Sequence, residues 1–243
     1  MIKGEVKRVS EDLLMQIVVG RFPAGLRLPP ESSLAQTYGC GRSTIREALR
    51  HLSDLGVVQS RQGSGAVVLD YRLEGRSMNL LVPWLVSGKF DQPLEIIAQL
   101  LLRTRTYLAC EGARMAALHA SPKDLAPARA LIEHSEQLEN EPVEHAQNDF
   151  NFHRELCMAS RIWPAVWMSN ILQEPLMQLS ERFGFGIVPK HYSKKMNAIL
   201  DRIVEKDAEA AVALMESHLE EVDRELLQPF RDATEAETYE AKL

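Results

Sequence analysis

Apolar residues recur at helical spacing from the start of the chain. Val6, Val9, Leu13, Leu14, Ile17 and Val18 fall on one sector, and Gly20 closes the run, which predicts a first helix. Pro23-Ala24-Gly25 reads as a turn, and Leu26 to Leu28 as a short extended piece. Pro30, at a first helical position, opens a short helix, ESSLAQTYG, that stops at Gly39. Cys40 and Gly41 form a tight connection to a third helix that ends at Gly56, with Ile45, Ala48, Leu49, Leu52 and Leu55 on its apolar side. Two β-branched runs, Val57–Ser60 and Ala66–Leu69, then flank Gln62-Gly63-Ser64-Gly65, a hairpin signal. The order helix, strand, helix, tight turn, helix, hairpin is that of a winged helix-turn-helix.

Beyond Asp91 the strand patterns vanish. Six helical stretches follow, Leu94–Ala120, Pro122–Glu139, Glu144–Ser160, Ala165–Phe183, Ser193–Lys206 and Asp207–Leu227, separated by prolines, glycines or a charged break. The expectation is a mainly α protein: an N-terminal winged helix-turn-helix with a small β-hairpin wing, residues 1–70, and a C-terminal all-α helical bundle, residues 91–228. Residues 71–90 read as a linker or short connecting helix, and 229–243 as a polar tail without fixed structure.

The third helix adds chemistry to this outline. Arg42, Arg46 and Arg50 each lie one turn beyond the last, spanning roughly 80° of surface about 120° from the apolar sector. An isolated helix with such a row most often presents it to water. Here Arg42, Ser43 and Thr44 stand at the helix start, where backbone N–H groups and the dipole favour phosphate. Arginine also suits a bidentate contact with guanine. At the wing tip, Arg61, Gln62 and Gly63 could approach a minor groove.

Charge supports this only modestly. The 243-residue chain is net −6, but residues 1–70 hold nine Lys/Arg against seven Asp/Glu, and the rest nineteen against twenty-seven. A mildly basic part thus precedes an acidic one. Three scattered cysteines without a CxxC pair point to a reducing cytoplasm rather than a disulfide framework. The first residues run straight into a charged amphipathic pattern with no signal peptide. The greasiest run, Leu80 to Val86, is too short to span a bilayer, so no membrane partner is expected.

The segment LPPESSLAQTYGCGRSTIREALRHLSDLGVVQSRQGSGAVV closely resembles the DNA-binding region of GntR-family bacterial transcriptional regulators. The resemblance covers LP-x-E, a small-residue helix, R-x-T/S-[VI]-R-x-A-L-x-x-L and a glycine-containing wing. It implies that Arg42, Ser43, Thr44 and Arg46 contact operator DNA, with Gln62 and Gly63 at the wing. Where that family often has a basic residue just after LP-x-E, this chain has Ser32.

In the helical part, Asp149 and His153 are i and i+4, neighbours within reach of a shared cation, and His218 lies on the last long helix. Viewed alone, such a pair is usually only hydrogen-bonded. Residues 93–225 resemble the FCD effector domain that accompanies GntR heads in the fatty-acid-regulator-like subfamily. That resemblance implies a divalent metal of the Zn, Ni or Mn class held by an Asp and three His. Asp149, His153 and His218 match three of those positions, and Met196 stands at the fourth. Two readings stay open: a cation on the remaining ligands, or a metal-free pocket in which Asp149, His153 and His218 bind an effector or one another. The resemblance also places Arg105 where it would engage the carboxylate of an organic or sugar acid. Its competing reading is a surface salt bridge.

The sequence therefore predicts a cytoplasmic, ligand-responsive regulator, not an enzyme. As a homodimer it would bind a pseudo-palindromic operator as a repressor, under control of a small carboxylate effector. The alternatives are a metal-dependent enzyme built on Asp149, His153 and His218, and a DNA-binding regulator whose helical domain takes no ligand.

Overall fold

A seam of wholly buried side chains, Val9, Leu13, Ile45, Ala48 and Leu52, joins α1 (Gly4–Val18) to α3 (Arg42–Asp54). Fully burying each large member stabilises by about 1.5–3 kcal/mol. The computed structural model describes residues 4–61, 65–89, 91–183 and 186–240. It divides into two units, Met1–Phe90 and Asp91–Leu243.

In the first unit α2 (Glu31–Tyr38) packs on α3. Pro30 sits just outside α2, with extended ψ, so the helix begins one residue later than the sequence reading placed it. Gly39 ends α2 at φ 64, in the left-handed region that glycine enters without strain, and so permits the sharp turn into α3. Strands β1 (Val58–Arg61) and β2 (Gly65–Val68) pair antiparallel, Val58 opposite Val68 and Arg61 opposite Gly65. The extended Leu26–Leu28 piece joins them through Leu28 N–H to the Ala66 carbonyl and Val68 N–H to the Leu26 carbonyl. A winged helix-turn-helix results. The segment expected as a linker carries α4 (Tyr71–Glu74), a 3-10 turn (Met78–Leu80) and α5 (Leu81–Ser87), and α5 packs on α1.

The second unit is helical throughout its described residues: α6 (Leu94–His119), α7 (Ala126–Ser135), α8 (Pro142–Ala159), α9 (Trp163–Phe183), α10 (Tyr192–Val204) and α11 (Ala208–Glu240). α6 lies along α11 and α8, α7 along α8 and α10, and α9 along α8. Small residues of α6, Ala109, Ala113, Ala116 and Ala117, let its neighbours approach closely, and Phe152, Met196, Leu200 and Met215 fill the centre. α11 continues past Pro229, where the sequence reading ended the ordered chain. Trp163 and Trp167 of α9 are 53% and 61% exposed and so lie outside the core.

Candidate functional site

Arg42, Ser43 and Thr44 form the first turn of α3. Its N-cap, Gly41, is extended and offers no side chain, and no acidic residue occupies the turn. The unpaired N–H groups and the positive end of the helix dipole are therefore left for an anion. Ile45, Ala48, Leu49 and Leu52 anchor the opposite face in the core. Arg42, Ser43, Arg46 and Arg50 consequently stand exposed, and Thr44 is half-buried. Arg46 Nε donates to Glu31 Oε2 at 2.7 Å, tying the third helix to the first turn of the second. Arg61 ends β1, while its side chain, Gln62 and Gly63 lie outside the described residues.

The second candidate site lies inside the helical unit. His145, Asp149 and His153 follow one another at four-residue intervals on α8, so one stripe carries all three. Tyr192, the first residue of α10, donates its hydroxyl to Asp149 Oδ1 at 3.0 Å. His153 Nε2 lies 3.4 Å from Asp149 Oδ2, close enough for an ion pair but outside hydrogen-bond alignment. The Tyr192 ring meets His145 edge-on at 4.6 Å and His218 of α11 at 5.9 Å. Arg105 of α6 donates to Asp223 of α11 through Nη2, and Thr106 Oγ1 donates to the other carboxylate oxygen at 3.3 Å.

Electrostatics fix the protonation states. Burial pushes the Asp149 carboxyl up, but the adjoining His153, with Arg105 and His218 nearby, outweighs it and holds Asp149 below the ordinary carboxylate range. Burial and then the Asp149 charge raise the Tyr192 phenol well above its usual value, so it remains a donor. Burial pushes His218 down to about 4, and His145 also downward. At neutral pH both imidazoles are uncharged. Burial raises the Asp223 carboxyl, with Arg105 opposing it.

Among the described residues, five buried nitrogens have no hydrogen-bond partner: Arg105 Nε, His145 Nε2, both ring nitrogens of His153, and His218 Nδ1. Leaving such groups unmet costs about 1–3 kcal/mol each. An adjoining groove of ≈ 360 Å³ touches this cluster through His218 and is lined by His191, Lys194, Lys195 and Glu221 of α10 and α11 and the preceding residue. The structure thus gathers Asp149, His153 and His218, and Arg105 contributes to their field.

The ligand set implied for a divalent metal fits poorly. Among the described residues no three His, Cys, Asp or Glu side chains are arranged to hold one ion. Met196, at the fourth position, is a wholly buried thioether, a soft donor ill-suited to Zn, Ni or Mn beside a carboxylate. Sequence reasoning missed His145, Tyr192 and Asp223. The HxxxDxxxH stripe could have pointed to His145, but nothing local marks Tyr192 or Asp223 as partners.

Together these features define a DNA-binding regulator: a winged helix with an arginine-edged third helix, and a helical domain with a polar interior. Residues 5–68 match the bacterial regulatory proteins of the gntR family and residues 100–221 match the FCD domain, so this chain belongs to the GntR family, in its FCD-bearing branch. It is a transcriptional regulator, not an enzyme. Over 232 residues it is 28% identical to the Uxu operon transcriptional regulator of Escherichia coli (strain K12), covering 92% of this chain and 86% of that one. A protein from the same strain, named as a candidate regulator of the L-lactate dehydrogenase operon, is 28% identical over 205 residues, 81% of this chain and 76% of its own. The solved structure of Lar, described as controlling the Listeria monocytogenes agr system, shares the fold with a TM-score of 0.59 at 20% identity, covering 93% of this chain and 98% of Lar. Among the described residues no helix is long and apolar enough to cross a membrane.

Proposed function

We propose that this chain is a cytoplasmic repressor that binds a pseudo-palindromic operator as a homodimer and releases it on binding a small organic or sugar acid. The observation that carries the DNA half is the exposed row Arg42, Arg46 and Arg50 on a helix whose N-terminus is open to an anion. Arg42 and Arg46, with Ser43 and Thr44, would enter the major groove, and Arg50 would meet phosphate. A two-fold operator requires a two-fold protein. Trp163, Trp167 and Ile171, exposed at four-residue intervals on α9, supply an apolar strip of the kind that a second copy covers.

The orphaned nitrogens around Asp149 support a polar effector over a ligand-free dimerisation domain, because a molecule with hydroxyl and carboxylate groups would meet them. Arg105 and the imidazoles would recognise it, and the effector would act through its unequal affinity for the DNA-bound and free states. Relatives named for the Uxu and L-lactate dehydrogenase operons are consistent with small-acid control.

Gel shifts with fragments from the protein's own upstream region test the reading, alongside a thermal-shift screen of sugar acids and hydroxy acids. Arg46→Ala is expected to lose specific operator binding while retaining its Tm and its response to acids. An unchanged operator affinity in that variant would remove the assignment of α3 as the reading helix.

A further inference from the structure

We infer that the interior site of the helical domain works without a resident metal, with the Tyr192 hydroxyl engaging the Asp149 carboxylate in place of a divalent cation. The starting point is a charge problem. Asp149 is part of a largely buried cluster, and a carboxylate taken out of water needs compensation from hydrogen-bond donors or positive charge. A dication bound there would supply it. In this chain the need is met otherwise. Tyr192 donates to one oxygen at 3.0 Å, His153 stands 3.4 Å from the other, and Arg105 adds its field.

The buried face of α10, Tyr192, Met196, Ile199, Leu200 and Ile203, carries no imidazole. Tyr192 and Met196 are one turn apart and both buried, so this face offers a phenol and a thioether where a cation of the Zn, Ni or Mn class wants imidazole. His145 packs edge-on against the Tyr192 ring and steadies the phenol. His145 Nε2, His153 Nδ1 and His218 Nδ1, none of them hydrogen-bonded and none of them the nitrogen facing Asp149, are then available to an organic ligand. This last step rests on the effector reading above. The exclusion of metal does not.

The test uses full-length protein purified without a metal-affinity tag and dialysed against metal-free buffer. The wild type is expected to hold far less than one divalent ion per chain, and added ZnCl2, NiCl2 or MnCl2 should leave its Tm nearly unchanged. Met196→His should take up one ion per chain and gain a Tm rise that EDTA reverses. A wild type that keeps one ion per chain through dialysis overturns the inference. So does a folded Tyr192→Phe/Met196→His double variant that binds no more metal than the wild type, since neither named residue would then be what excludes the ion. Should these variants fail to fold, wild-type metal content decides alone. A gel shift in EDTA with the acids that score in the thermal screen separates this inference from the effector reading. Operator release without metal supports both, and release only after metal is added overturns this one. If no acid alters operator binding, the effector reading falls and metal content still decides the present point.

Discussion

Glu31 holds Arg46. The carboxylate at the first turn of α2 accepts a hydrogen bond from the guanidinium of α3 at 2.7 Å, across the turn of the helix-turn-helix. The pair is largely exposed, so it contributes little to folding, about 0–1 kcal/mol. Its effect is on the arginine. A charged side chain that would otherwise sample many rotamers is held in one position on the face proposed above to meet DNA.

Glu31→Ala should therefore leave Tm almost unchanged while changing DNA binding in two opposite ways. Affinity for the operator should fall, by about 1 kcal/mol, because Arg46 must be ordered on binding. Affinity for a scrambled duplex should rise, because a negative charge has left the DNA-facing surface. Fluorescence anisotropy with both duplexes measures the two changes, and a parallel drop for both would mean that Glu31 serves the fold instead.

Arg46 and Arg50 should separate by what they lose. Arg46→Ala is expected to cost about 1–3 kcal/mol of discrimination between operator and random DNA. Arg50→Ala should weaken both duplexes alike and reduce the slope of log affinity against log salt by about 1. Titrations at several salt concentrations distinguish a base contact from a phosphate contact at each position.

The Arg105–Asp223 pair joins α6 to α11 with both side chains mostly buried, so removing one partner strands the other. Asp223→Asn should destabilise the protein by about 3–5 kcal/mol, the usual cost of an uncompensated buried charge. The same variant offers Arg105 to an incoming carboxylate. Millimolar L-lactate or D-gluconate is expected to raise the Tm of Asp223→Asn more than that of the wild type. Equal responses would place Arg105 outside the effector site.

Stability should fall on mild acidification. His218 is pushed down to about 4 by burial, whereas an unfolded histidine titrates near 6.5. The depressed value means that the unfolded chain binds the proton first. Stability is therefore full above about pH 6.5 and is lost as the pH falls toward 4, by roughly 2–3 kcal/mol. Asp149, also held low, adds its loss at still lower pH. The groups facing His218 that set this balance are Asp149, His153, Lys195 and Arg105. Chemical denaturation at pH 7 and pH 4.5 measures the difference, and His218→Gln should flatten it.

Much of this was visible in the chain before folding. The helix-turn-helix, the hairpin and the six later helices follow from spacings of three and four, or of two, which are local properties. Gly39 and Gly56 marked true turns, at φ 64 and φ 76. The arginine row was legible because one helix carries it and its apolar sector fixes which way it faces. The boundary at Pro30 slipped by a residue because proline suits both the cap and the first turn.

The order of elements, the exposure of the arginine edge and the stripe His145, Asp149 and His153 were determined by sequence alone, because each depends on neighbours within a few residues. Tertiary structure decided the partners. Glu31 meets Arg46 across 15 residues, Tyr192 meets Asp149 across 43, and Arg105 meets Asp223 across 118. No periodicity encodes such pairs, because they depend on how separate helices pack: α2 on α3 over Leu34, Ile45 and Leu52 in the first unit, and the long helices around buried alanines and Phe152 in the second.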